Sequence, residues 1–213
     1  MEMDRREAFR YLGFQNAEPD AQTQSILEAC LPALTQAASF KHALLRLPVM
    51  AEGETILISV LHIQSRALLR HLEGCNEAFL FAATLGAGVD RLMQMYSKTD
   101  MPSAVVLQAC AAALLESHCD AVQERLAQEL QEKGLYLRPR FSPGYGDFSL
   151  QHQPDLLRIL DAPKKIGLSC TQSNMLTPTK SITAIIGISA QRERCHIHRC
   201  DACDKADCAF KKE

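Results

Sequence analysis

The segment Ala78-Phe79-Leu80-Phe81-Ala82-Ala83 decides how the rest of the chain is read. It is short, apolar throughout and bounded, the pattern of a strand covered on both faces rather than of a surface helix. Gly86 and Gly88 then turn the chain into a helix that begins near Val89. Working outward, Pro102 sits at a helical first turn and opens the longest helix, residues 103–133, which Gly134 ends. At about 1.5 Å per residue it spans about 45 Å and crosses a whole domain. Beyond it, residues 135–138 read as a strand, 140–148 as a Pro/Gly loop, 150–160 as a helix and 166–169 as a short strand. Residues 181–189 form a further strand, with Ile182, Ala184, Ile186 and Ile188 alternating with Thr183, Ile185, Gly187 and Ser189. Upstream, residues 7–13 form a helix, 16–19 break it, and Asp20 caps a second helix that Pro32 is expected to kink or shorten. A helix is expected over residues 59–72, with Leu61, Leu68, Leu69 and Leu72 on one side and Gly74 as its stop. Helices and strands alternate, but periodicity alone does not pair the strands.

Composition bounds the function. The 213 residues carry 23 Lys+Arg against 25 Asp+Glu, a net charge of -2, which is not the basic footprint that phosphate backbones require. Nucleic acid is disfavoured as a partner. There is no uninterrupted apolar run near 18 residues, and Glu2, Asp4 and Glu7 interrupt the N-terminus, so neither a membrane span nor a signal peptide is expected and the reading is cytoplasmic. Nine cysteines then face a reducing compartment, which argues against a disulfide framework. Residues 1–50 read as a helical N-terminal segment and 51–190 as the core. After Ala190 the composition shifts to charge, His and Cys, so 191–213 reads as a separate Cys-rich tail.

Three groups of residues bear chemistry. The first is the loop Arg140-Phe141-Ser142-Pro143-Gly144-Tyr145-Gly146-Asp147. Pro143 and Gly144 make a turn that exposes backbone N–H groups between a guanidinium and a phenol. Arg140 suits a ligand carboxylate through its planar fork, Tyr145 donates or stacks, and Gly144 and Gly146 permit close approach of a small zwitterion. An ordinary structured turn explains the same residues. The second is Glu116, on one edge of the long helix with Val105, Ala109, Ala112 and Ala113. A carboxylate desolvated beside such small side chains seeks a cation, whereas one at the rim of an amphipathic face is simply solvated. The third is Cys195, Cys200, Cys203 and Cys208, separated by four, two and four residues, with His196 and His198 nearby. Four thiolates this close suit a tetrahedral zinc or an iron-sulfur cluster, which spacing does not distinguish, or serve as redox-sensitive thiols.

His62, His71, His118 and His152 fall on expected helices and read as surface or core residues rather than catalysts. No P-loop, G-x-S-x-G or H-E-x-x-H motif is present, which argues against those nucleotide and hydrolase chemistries.

The loop at 140–147 resembles the activation domain of cobalamin-dependent methionine synthase, and more closely the free-standing proteins built around that domain. Supporting segments are Arg10-Tyr-Leu-Gly13, Ala83-Thr-Leu-Gly86, Leu115-Glu-Ser-His118 with Glu124-Arg125, and residues 166–173 continuing to the Pro-Thr-Lys-Ser ending at Ser181. The resemblance implies an α+β fold, a mainly antiparallel twisted sheet packed with helices. It also implies binding of S-adenosylmethionine, the donor that restores methylcobalamin after oxidation of the cofactor and one-electron reduction. Carried over, Glu116 and Arg140 face that ligand, Ser142 and Gly144 offer backbone contact and Tyr145 is the family tyrosine. The sequence departs from the family's long form in lacking its aspartate-bearing N-terminal segment and a C-terminal tyrosine, and has Gln172 where Glu is usual. It also contains no D-x-H-x-x-G motif, so cobalamin is reached only through a corrinoid-binding methionine synthase or related methyltransferase. The implied role is reactivation of that partner. An alternative role is electron transfer, in which an iron-sulfur tail reduces the cobalamin, itself served by an electron donor.

Overall fold

The computed structural model describes residues 3–14 and 18–191. The chain opens with α1 (Arg5–Tyr11), capped by Asp4, and α2 (Ala21–Ala37), where Asp20 accepts from the Thr23 amide at 2.8 Å. Pro32 neither ends nor shortens α2. It lies exposed, so the bond it cannot make would have involved the Glu28 carbonyl on the solvent side, while Leu27, Cys30 and Leu34 hold the opposite face in the core. Residues 41–48 of the expected helical N-terminal segment are a strand, β1 (Lys41–Pro48), followed by β2 (Met50–Glu52) and β3 (Thr55–Ile58).

The helix expected over 59–72 is corrected by β4 (Leu61–Gln64), after which α3 occupies only Arg66–His71. Leu61 and Ile63 are buried while His62 and Gln64 are exposed, a period of two that the leucine spacing hid. Ser65 accepts from the Leu68 amide at 3.1 Å and starts the shorter helix. Next come β5 (Cys75–Thr84), α4 (Ala87–Thr99), α5 (Met101–Gln131) and β6 (Tyr136–Leu137). After a single 3₁₀ turn (Leu150–His152) follow α6 (Gln153–Leu160), α7 (Ala162–Ile166), β7 (Ser169–Cys170), β8 (Leu176–Thr177) and β9 (Ser181–Ser189). The strand expected at 166–169 is therefore displaced: Ile166 ends a helix, Gly167 turns at φ +70°, and pairing starts at Ser169.

The main sheet has the order β1-β5-β9-β6, every pair antiparallel; β2-β3-β4 and β7-β8 form two smaller sheets. β5 and β9 are central, and their two-residue alternation divides the apolar side chains between two cores. Phe79, Phe81, Ile186 and Ile188 join α1, α2, α4 and α5 on one face; Leu80, Ala82 and Ile185 join α6, α7 and Phe148 on the other. Gly187 is small because a Cβ there would lie 2.8 Å from both Cys75 Sγ and Leu72 Cδ2. By length and apolar content α5 passes for a membrane-spanning helix, but half of its most apolar stretch is buried against the protein itself.

Candidate functional site on the long helix

Gly134 ends the turn after α5 and sends the chain back along β9, where the amide of Arg138 donates to Gly187 O and Phe141 exchanges hydrogen bonds with Ile185 at 3.0 and 2.9 Å. This strand-like run places successive side chains on opposite faces. Phe141 packs against the second core, and Arg140 is carried to α5. There Arg140 Nη2 donates to Glu116 Oε2 at 2.7 Å and to Asp120 Oδ1 at 2.6 Å, and Nη1 donates to Gln123 Oε1 at 3.1 Å. Residues 116, 120 and 123 recur at helical spacing on α5, so one face of the helix meets one guanidinium.

The Arg140 side chain is 5% exposed, that of Glu116 21% and that of Asp120 61%. Burial alone disfavours the charged guanidinium, but the two carboxylates more than offset it and hold the Arg140 pKa above its ordinary value. Nearby, burial pushes the Cys119 thiol up to about 12. Tyr11 on α1 is also raised to about 12, first by burial and then by the charges of Glu116 and Glu7. One cation thus faces two carboxylates.

Arg140, expected to hold a ligand carboxylate, is ion-paired within the protein, and the cation beside Glu116 is Arg140 itself. The loop's amides are likewise engaged, Gly144 N donating to Phe148 O at 2.7 Å and Tyr145 N to Ser142 O at 3.1 Å. Ser142 is buried and its Oγ has no hydrogen-bond partner among the described residues. Tyr145 is exposed and meets Phe141 edge to face at 6.0 Å, so its ring contact lies with the aromatic residue of the second core. The structure therefore joins Arg140 to Glu116 directly and sets Ser142, Gly144 and Tyr145 along the adjoining turn.

Sequence reading missed three residues of this arrangement, Asp120, Gln123 and Asp147. Asp120 was hidden because its pairing with Arg140 needs the chain reversal at Gly134. Asp147, at the end of the quoted loop, accepts from Ser65 Oγ at 2.5 Å, Arg66 N at 2.8 Å and Ala67 N at 3.1 Å. These hydrogen bonds draw its pKa down to about 2 and tie the loop to the start of α3. A cavity of about 470 Å³ lies along the N-terminal half of α5, lined among others by Tyr11, Met101, Val105, Ala109, Ala112 and Lys180. The row of small side chains read from the sequence thus forms part of its wall, one helical turn from Glu116.

Of the histidines, His62 lies on β4, and His118 on α5 stacks on Phe40 at 4.4 Å. His71 is buried beneath the loop, its Nε2 donating to Pro139 O at 2.9 Å while Nδ1 has no hydrogen-bond partner among the described residues. Burial lowers its pKa to about 4. The folded state then binds fewer protons than the unfolded one between about pH 6.5 and 4, so stability falls as pH drops through that window, by about 3 kcal/mol at its foot. Denaturant titrations across this range should show the loss, and His71→Gln should reduce it while leaving the smaller contributions of His42, His118 and His152, also lowered by burial.

No group of residues able to hold a metal occurs among the described residues; Cys195, Cys200, Cys203 and Cys208 lie outside them. Residues 72–213 match the family model described as the vitamin B12 dependent methionine synthase, activation domain. The chain belongs to this family. Its fold agrees: the chain is similar to the MetH reactivation domain whose crystal structure was solved bound to AdoHcy, with a TM-score of 0.67 at 17% identity, over 87% of this chain and 73% of that one. No match was found among curated proteins. The antiparallel sheet packed with helices that the resemblance implied is observed, and membership of the activation-domain family supports a role in methionine synthase reactivation.

Proposed function

We propose that this activation-domain protein binds S-adenosylmethionine where Arg140 meets the middle of α5 and presents it to cobalamin on a corrinoid-binding partner, for reductive remethylation. The observation that supports this reading is the pairing of Arg140 with Glu116 at the head of the R-x-x-P-G-Y loop. The donor is a zwitterion with a sulfonium. Its carboxylate suits the guanidinium and its cationic groups suit the carboxylate of Glu116. Transfer of the methyl group to the reduced cofactor leaves S-adenosylhomocysteine. The protein contributes orientation and exclusion of water, turning an encounter of two molecules into a positioned reaction. The test is a titration with S-adenosylmethionine followed by methyl transfer to a cobalamin-loaded methionine synthase that lacks this domain. Saturable binding without any transfer would remove the presenting role.

A second reading rests on the spacing of Cys195, Cys200, Cys203 and Cys208, which suits an iron-sulfur centre passing the electron that reduces the cobalamin. Anaerobic purification should then give iron and sulfide with reducible visible absorbance. Stoichiometric zinc without that absorbance would exclude electron transfer through the tail and leave it a structural role.

A further inference from the structure

A guanidinium grips a carboxylate with two adjacent N–H groups, and both of its common forks, Nη1 with Nη2 or Nε with Nη2, use Nη2. In Arg140 both Nη2 hydrogens are engaged, one by Glu116 and one by Asp120. Meanwhile Nε is buried without a hydrogen-bond partner among the described residues, so the fork that faces it is incomplete. A ligand carboxylate therefore reaches Arg140 in bidentate fashion only if one resident carboxylate leaves. The two differ in what leaving entails. Glu116 is mostly enclosed, whereas Asp120 is 61% exposed and regains water as it withdraws.

We propose that Asp120 is a resident counter-ion that occupies the place of the ligand's carboxylate on Arg140 and is displaced when ligand binds. This rests on the reading of Arg140 as the carboxylate-binding residue. Asp120 acts through Arg140 and is a positioning residue: it keeps the buried cation compensated when no ligand is bound and competes with the ligand's carboxylate for the guanidinium, so only a ligand that must displace it feels its presence. A ligand with a carboxylate replaces one ion pair by another, while a ligand without one gains nothing from the exchange.

The experiment compares wild type and Asp120→Ala by calorimetric titration with S-adenosylhomocysteine, which carries the amino-acid carboxylate, and with 5′-methylthioadenosine, which does not. The uncharged thioether in both removes the sulfonium from the comparison. Asp120→Ala should bind S-adenosylhomocysteine about five- to twentyfold more tightly and 5′-methylthioadenosine within about twofold of wild type, as expected for release of one exposed competing ion pair. Unfolding without ligand should change little, because Asp120 is exposed and alanine favours a helix. Unchanged or weaker S-adenosylhomocysteine binding in the variant overturns the proposal, and so does equal tightening of both ligands, which would mark a general change in the pocket. If wild type binds S-adenosylhomocysteine and Arg140→Ala abolishes it while Asp120→Ala has no effect, only the role of Asp120 falls. If neither wild type nor variant binds it, the reading of Arg140 falls as well.

Discussion

Arg140→Ala should weaken S-adenosylmethionine binding by about 1–3 kcal/mol, roughly five- to 150-fold, without unfolding the protein. The range is that of a lost charge-assisted hydrogen bond between a ligand carboxylate and a largely enclosed guanidinium. The fold should survive because Arg140 sits at the margin of the sheet and the exposed Asp120 can turn toward water once the cation is gone, while only Glu116, mostly enclosed, is left without its partner. The two carboxylates will repel each other one helical turn apart, so some loss of stability accompanies the loss of affinity. Arg140→Lys separates the two effects: it keeps a charge between the carboxylates but not the planar fork, and should restore stability better than binding. Equal affinity in wild type and Arg140→Ala would remove Arg140 from the ligand site.

The largest effect on folding is expected at Gly88, in the first turn of α4. A Cβ built there would lie 2.3 Å from the carbonyl oxygen of Ala37, at the end of α2. That neighbour is backbone, so the clash is relieved only by moving one helix against the other, and both pack on the shared core with α5. Gly88→Ala should cost about 3 kcal/mol and lower the melting temperature by about 6–12 °C. Gln94→Ala, on the exposed side of the same helix, should stay within about 0.5 kcal/mol of wild type. A change below about 1 kcal/mol in Gly88→Ala would show that α2 and α4 are not held as closely as described.

These residues also show where sequence reading succeeds. Residues 78–83 and 181–189 were legible as strands because both faces of β5 and β9 are covered, so burial writes itself into every position. Asp20 and Pro102 marked helix starts because capping is a local matter. β1 was missed, since an edge strand such as Lys41–Pro48 need bury only part of its surface and its pairing with β5 spans a sequence separation that no local pattern records. Leu61–Gln64 was misread because leucines at 61, 68 and 72 satisfy a helical spacing as well as the true strand and short helix.

At the site, Glu116 was legible because it interrupts a row of small apolar side chains, and the loop because Pro143 and Gly144 punctuate it. Their relation was not. Whether Arg140 faces the second core or α5 depends on the phase of its run along β9, set by the pairing of Phe141 with Ile185, which is one residue out of step with the Leu137–Ile188 pair before it. Shifting that register by one residue would send Arg140 into the second core and Phe141 toward the carboxylates. The ion-paired arginine is a product of tertiary register, and it explains how a buried cation is held in readiness on a domain whose net charge is slightly negative.

The most direct test of the central claim is an anaerobic calorimetric titration of the whole chain with S-adenosylmethionine. The account predicts saturable binding of one donor per chain, lost or greatly weakened in Arg140→Ala. The absence of saturable heat at millimolar donor, from a protein whose unfolding remains cooperative, would contradict it.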